Sequence, residues 1–79
     1  MPELDVYTRQ GCHLCEVLIE QLLELVGQKA RLRIHDVDTS DDWQAQYGSL
    51  VPVVEFEGRR LCHYKLDAAV ISAALAGRA

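Results

Sequence analysis

The sequence predicts an α/β domain of element order βαβαββα, a mixed four-stranded sheet with helices on both faces. Three observations carry this. Apolar and polar residues alternate over Leu4–Thr8, and apolar residues then recur at helical spacing from Leu14 to Val26. A second strand-like run from Arg31 completes a strand–helix–strand unit, which closes as a right-handed parallel pair. Two further strand-like runs, 51–57 and 60–64, are joined so tightly that they form an antiparallel hairpin.

The elements follow in order. Leu4, Val6 and Thr8 alternate with Asp5 and Tyr7, which marks a short strand, and Gln10-Gly11 breaks it. Asp5 has no evident reason to sit in a central strand. From Cys12 or His13 to about Val26 the pattern is helical. Glu16, Glu20 and Glu24 repeat every four residues as a wet stripe, and Leu14, Val17, Leu18, Leu22 and Leu25 lie opposite, widened by Ile19, Leu23 and Val26. So broad an apolar arc predicts a well-covered helix, stopped by Gly27. The second strand, Arg31 to Asp36 or Val37, carries Arg31, Arg33, His35 and Asp36, charge that suits a sheet edge. Thr39 or Ser40 caps a second helix whose first turn is favoured by Asp41 and Asp42. Trp43 and Tyr47, four apart, share its packed face, and Gly48 ends it. Pro52 must stand at the start of the third strand, because proline cannot donate to a ladder. Gly58-Arg59 turns the chain into a fourth strand, Arg60–Tyr64. Asp67 caps a last helix with Val70, Ile71, Ala74 and Leu75 on one face, and Gly77 stops it.

Seventy-nine residues, 49% of them apolar, describe one small domain, 1–79. Eight basic residues against twelve acidic ones leave a net charge of −4, the wrong sign for gripping nucleic acid phosphates. No apolar run reaches membrane-spanning length, and the first residues, Met1-Pro2-Glu3-Leu4-Asp5, lack the pattern of a secretory signal. Three cysteines, an odd count, fit poorly with a secreted disulfide framework. The expectation is a cytoplasmic monomer.

Cys12 and Cys15 stand at a strand-to-helix junction. Residues three apart on a first helical turn face each other at roughly 5–6 Å, within the usual disulfide Cα separation of roughly 4.4–6.8 Å. Such a pair can open and close with little backbone movement, so Cys-x-x-Cys here reads as a dithiol redox site. Cys12, nearer the loop, should be the exposed attacker, favoured by the helix N-terminus and by Arg9. Cys15, one turn in, should resolve the mixed disulfide. His13, if protonated, would favour a thiolate at Cys12, and an exposed histidine without a role is the other reading. A structural zinc site normally shows a second close pair. Cys62 and His63, adjacent in a strand, point to opposite faces and cannot easily both join the first pair. Cys62 reads as a small packing residue, with regulatory oxidation as the alternative, and Trp43 as packing. His35 and His63 read as residues of a solvated strand face.

Tyr7-Thr8-Arg9, Gly11-Cys12-His13-Leu14-Cys15 and the later Val51-Pro52 resemble the glutaredoxin-like branch of the thioredoxin-fold proteins, and the element order extends the resemblance over nearly the whole chain. The resemblance implies a thiol–disulfide oxidoreductase using a dithiol mechanism, with no bound cofactor and with glutathione as a co-substrate. It implies a cis Val51–Pro52 peptide facing the cysteines, with the Val51 backbone holding an extended partner as an added strand would. Arg9 stands where a basic residue often contacts glutathione. The chain departs from the family's usual pattern in several places. His13-Leu14 replaces Pro-Tyr, Leu50 replaces the Thr before Val-Pro, and His63-Tyr64-Lys65-Leu66 lacks the usual Gly-Gly ahead of Asp67. Val6 stands where thioredoxins carry a buried acid. A disulfide-bearing protein is therefore the other partner implied. A non-catalytic binding module, serving a protein partner or a metal or iron–sulfur cluster, is the alternative function. It would show no turnover with dithiol reductants and would retain metal on purification.

Overall fold

The computed structural model describes residues 1–77. Its elements are β1 (Glu3–Thr8), α1 (His13–Val26), β2 (Arg31–Asp36), a 3₁₀ turn (Val37–Thr39), α2 (Asp41–Tyr47), β3 (Val53–Phe56), β4 (Arg59–His63) and α3 (Ala68–Ala76). The strands lie in the order β2-β1-β3-β4. β1 and β2 run parallel, and the other two pairings are antiparallel. The architecture is the mixed sheet that the periodicities predict, with charged β2 at an edge. Among the described residues no helix is long and apolar enough to cross a membrane.

Alternation along β1 divides the core in two. Leu4 and Val6, with Val54 and Phe56 of β3, meet Leu18, Leu22 and Val26 of α1 and Ile71 of α3. On the opposite face Val53 and Tyr7 pack with Tyr47 and Trp43 of α2 and with Val37. Ser40 caps α2 by accepting from the Trp43 N–H, and Asp67 caps α3 by accepting from the Val70 N–H.

Four details differ from the sequence reading. The buried stripe of α1 is narrow, comprising Cys15, Leu18, Leu22 and Val26, while Leu14, Val17 and Leu23 are exposed. Nine-residue α3 is too short to cover more of α1, and Val70 on α3 is itself exposed. The hairpin turns one residue early, at Glu57-Gly58 rather than Gly58-Arg59, so β3 closes at Phe56 and β4 runs from Arg59 to His63. Both turn residues take positive φ, 52° and 78°, the conformation that matches the twist of a two-residue hairpin. Finally, His35 is not on a solvated face: its ring stacks on Tyr7 at 4.9 Å and lies 5.0 Å from Trp43.

His35 also accounts for Asp5. The Asp5 side chain is only 15% exposed, and Arg33 and His35, from the neighbouring strand, donate to it at 2.9 and 2.8 Å. Burial pushes the Asp5 carboxyl up, but the hydrogen bonds from Arg33 and then His35 outweigh it and hold the carboxyl below the usual aspartate range. A depressed carboxyl contributes stability that is present above its unfolded value and lost as pH falls through the folded one. Asp5→Asn is thus expected to cost about 1 kcal/mol near neutrality, since Arg33 is well exposed to solvent. Urea titrations of wild type and variant should converge once the pH drops below the aspartate range.

Candidate active site

The antiparallel registers gather three loops at one end of the sheet. Tyr7 pairs with Val53, and Val53 with His63. The segments after Tyr7, before Val53 and after His63 therefore emerge side by side. They carry the cysteines, the Val51–Pro52 bond and Tyr64.

Gly11, at φ 76°, lets the chain leave β1 and enter α1 within a few residues. Cys12 is the N-cap of α1 rather than a residue of its first turn. Its backbone is extended, and its Sγ accepts from the Cys15 N–H at 3.2 Å. The sulfur thus occupies the position of a capping oxygen, where free helix N–H groups favour negative charge. Its own N–H donates to the Arg9 carbonyl at 3.3 Å. Cys12 is partly exposed, whereas Cys15 is buried, with 2% of its surface accessible. Burial first, and the hydrogen bond to Cys12 second, push the Cys15 thiol up to about 12. The two sulfurs are therefore chemically unequal. Iodoacetamide at neutral pH is expected to modify Cys12 in the native protein and Cys15 only after denaturation, read by peptide mass mapping.

The Arg9 side chain is already engaged. Its Nε donates to both carboxylate oxygens of Asp38, at 3.2 and 3.1 Å, and Nη1 donates to the Gly48 carbonyl at 3.1 Å. It ties the end of β1 to the 3₁₀ turn and to the C-terminal end of α2, just ahead of the proline loop. His13 is open to solvent, its Nδ1 3.7 Å from Glu16. The Val51–Pro52 peptide is cis. Pro52 is buried and Val51 half-buried, and ladder pairing begins only at Val53, so Val51 lies outside it. Tyr64 braces this loop from the other side. Its N–H donates to the Pro52 carbonyl at 2.9 Å and its hydroxyl to the Ser49 carbonyl at 2.8 Å. Asp38 and Tyr64 were not marked by sequence reasoning, because each acts on a residue more than ten positions away.

Cys62 is half-buried on β4 beside the main core, and burial pushes its thiol up. His63 is exposed against Tyr64. Among the described residues no three His, Cys, Asp or Glu side chains gather as metal ligands would. On the far side of the sheet, Tyr47 donates to Glu55 at 2.8 Å, which satisfies a carboxylate that is 9% exposed.

Comparison with known proteins places this geometry in context. The sequence pattern of the family described as Glutaredoxin-like domain (DUF836) matches residues 3–76. Uncharacterized proteins of Mycobacterium tuberculosis and Mycobacterium bovis are 31% identical over 72 residues, spanning 84% of this chain and 74% of theirs. The crystal structure of a structural-genomics target protein from X. campestris superposes with a TM-score of 0.72 at 29% identity, covering 94% of this chain and 96% of that one. Glutaredoxin C1 from Populus tremula x tremuloides shares the fold, with a TM-score of 0.57 at 21% identity over 96% of this chain and 85% of that one.

Proposed function

The chain belongs to the Glutaredoxin-like domain family, and from that premise we propose that it is a thiol–disulfide oxidoreductase in which Cys12 attacks and Cys15 resolves. The observation that carries this reading is the capping geometry. Cys12 is a partly exposed residue at the N-terminus of α1 whose sulfur accepts the Cys15 N–H, and Cys15 is buried.

The chemistry follows from that arrangement. The Cys12 thiolate attacks one sulfur of a substrate disulfide. The Cys12–substrate S–S bond forms as the substrate S–S bond breaks, and a substrate thiolate leaves. Of the three influences raising the Cys15 thiol, two come from Cys12: its hydrogen bond and its charge. Both fade once Cys12 is a neutral mixed disulfide, which eases ionisation of Cys15 while its burial still opposes it, and the Cys15 proton goes to the departing thiolate. Cys15 then attacks the Cys12 sulfur. The internal disulfide closes and the second substrate thiolate departs. Two electrons have passed from the dithiol to the substrate, and a cellular thiol, glutathione or a protein dithiol, returns them.

The Arg9–Asp38 pair and the Tyr64 hydroxyl support the loops that flank this chemistry. The test is turnover of a small disulfide such as hydroxyethyl disulfide, with dithiothreitol as reductant. The proposal expects catalysis above the uncatalysed exchange rate. Exchange no faster than with denatured protein would contradict it.

A further inference from the structure

Tyr64 follows β4 with φ 66°, in the left-handed region that side chains rarely adopt. The Lys65 N–H donates back to the His63 carbonyl at 2.8 Å, which closes a three-residue turn with positive φ at its centre, the rare form of that turn. Burial does not account for an aromatic residue here, since Tyr64 is 44% exposed and its ring contact is the exposed His63. A conformation of this kind persists because neighbouring contacts hold it, and it points to a local task. The bonds show what is held. The Tyr64 N–H donates to the Pro52 carbonyl at 2.9 Å and its hydroxyl to the Ser49 carbonyl at 2.8 Å. The same segment is anchored at its α2 end, where Arg9 holds the Gly48 carbonyl and the Leu50 N–H donates to the Tyr47 carbonyl. Ladder pairing with β1 starts only at Val53, so Tyr64 ties down the stretch between those two fixed ends.

We propose that Tyr64 is a positioning residue: by holding the Ser49 and Pro52 carbonyls it fixes the backbone between them beside Cys12, where that backbone aligns a disulfide for attack. This rests on the oxidoreductase reading above. The sheet registers bring the segment before Val53 out beside the cysteine loop, so a group joined to the Cys12 sulfur meets it. A backbone segment offers N–H and C=O groups, whose hydrogen bonds weaken steeply when misaligned, and misplacing reacting groups by about 1 Å slows a reaction strongly. The Cys12 sulfur itself does not depend on Tyr64. Its Sγ accepts from the Cys15 N–H and its own N–H donates to the Arg9 carbonyl. Loss of the Tyr64 hydroxyl is therefore a change in alignment and not in the thiol.

The experiment compares wild type with Tyr64→Phe, which removes only the hydroxyl, and Tyr64→Gly, which keeps the N–H and suits positive φ but removes hydroxyl and ring together. Three reactions are followed: alkylation of Cys12 by iodoacetamide, and turnover at fixed dithiothreitol of hydroxyethyl disulfide and of the disulfide of N-acetylcysteine methylamide. The last carries peptide groups that the fixed segment can engage, and the other two reagents do not. Both variants are expected to lower kcat/KM for the peptide-bearing disulfide about three- to tenfold, the scale of one hydrogen bond, with the loss carried by KM. Alkylation and turnover of hydroxyethyl disulfide should stay at the wild-type rate. Wild-type kcat/KM in either variant, a fall shared equally by all three reactions, or a loss confined to kcat would overturn the inference while leaving the oxidoreductase reading standing. No turnover of either disulfide by the wild type would remove that reading and the inference together.

Discussion

A Cys15→Ser variant is expected to halt at the mixed disulfide, while Cys12→Ser never reaches it. In the proposed mechanism the covalent intermediate is cleared by internal attack from Cys15, the residue whose backbone N–H already bonds the Cys12 sulfur. Remove the Cys15 thiol and the first exchange still proceeds, because the Cys12 sulfur and its capping N–H remain. Incubation with a peptide disulfide should leave one peptide covalently attached at Cys12, visible as intact mass and released by dithiothreitol. Cys12→Ser should form no adduct and lose turnover by on the order of 10⁴-fold or more, the scale on which removal of a covalent nucleophile acts. Attachment at Cys62, or equal adducts in both variants, would contradict the assigned roles.

The second large effect concerns the core that holds α1 in position. Leu22 is fully buried among Leu4, Leu18, Val54, Ile71 and their neighbours. Leu22→Ala is expected to cost about 2–5 kcal/mol from lost transfer energy and the cavity left behind. At about 0.05–0.15 kcal/mol per residue, a domain of this size has only about 4–12 kcal/mol in total. With a urea dependence of about 1 kcal/mol per molar, the midpoint should fall by about 2 M or more. Leu23, the next residue, is 53% exposed, so Leu23→Ala should stay within about 0.5 kcal/mol of wild type. Similar losses at both positions would mean that the α1 face has been wrongly assigned.

That contrast shows where the sequence is legible. The helical spacing of its apolar residues locates α1 but does not separate Leu22 from Leu23, because how much of an apolar arc is covered depends on the length and position of α3. Turn chemistry gave the hairpin but not its register. Nothing local marks Glu57 as a residue at positive φ, so the sequence points to Gly58 as opening the turn, whereas it closes it. Caps were more readable, because Ser40 and Asp67 act on backbone three residues away. Asp5 had no account from sequence, since its partners Arg33 and His35 arrive on a parallel strand after an intervening helix. The same reasoning applies to the candidate site. The inequality of Cys12 and Cys15 could be read from their order at a helix N-terminus. The engagement of Arg9 by Asp38, 29 residues on, could not, and it changes what Arg9 can offer a ligand.

The most direct test of the account equilibrates the reduced protein with mixtures of reduced and oxidised dithiothreitol and maps the thiols by mass. The expected result is a reversible loss of two hydrogens, with Cys12 and Cys15 joined and Cys62 still free to alkylate. A disulfide that includes Cys62, or three free thiols across the whole series, would contradict it.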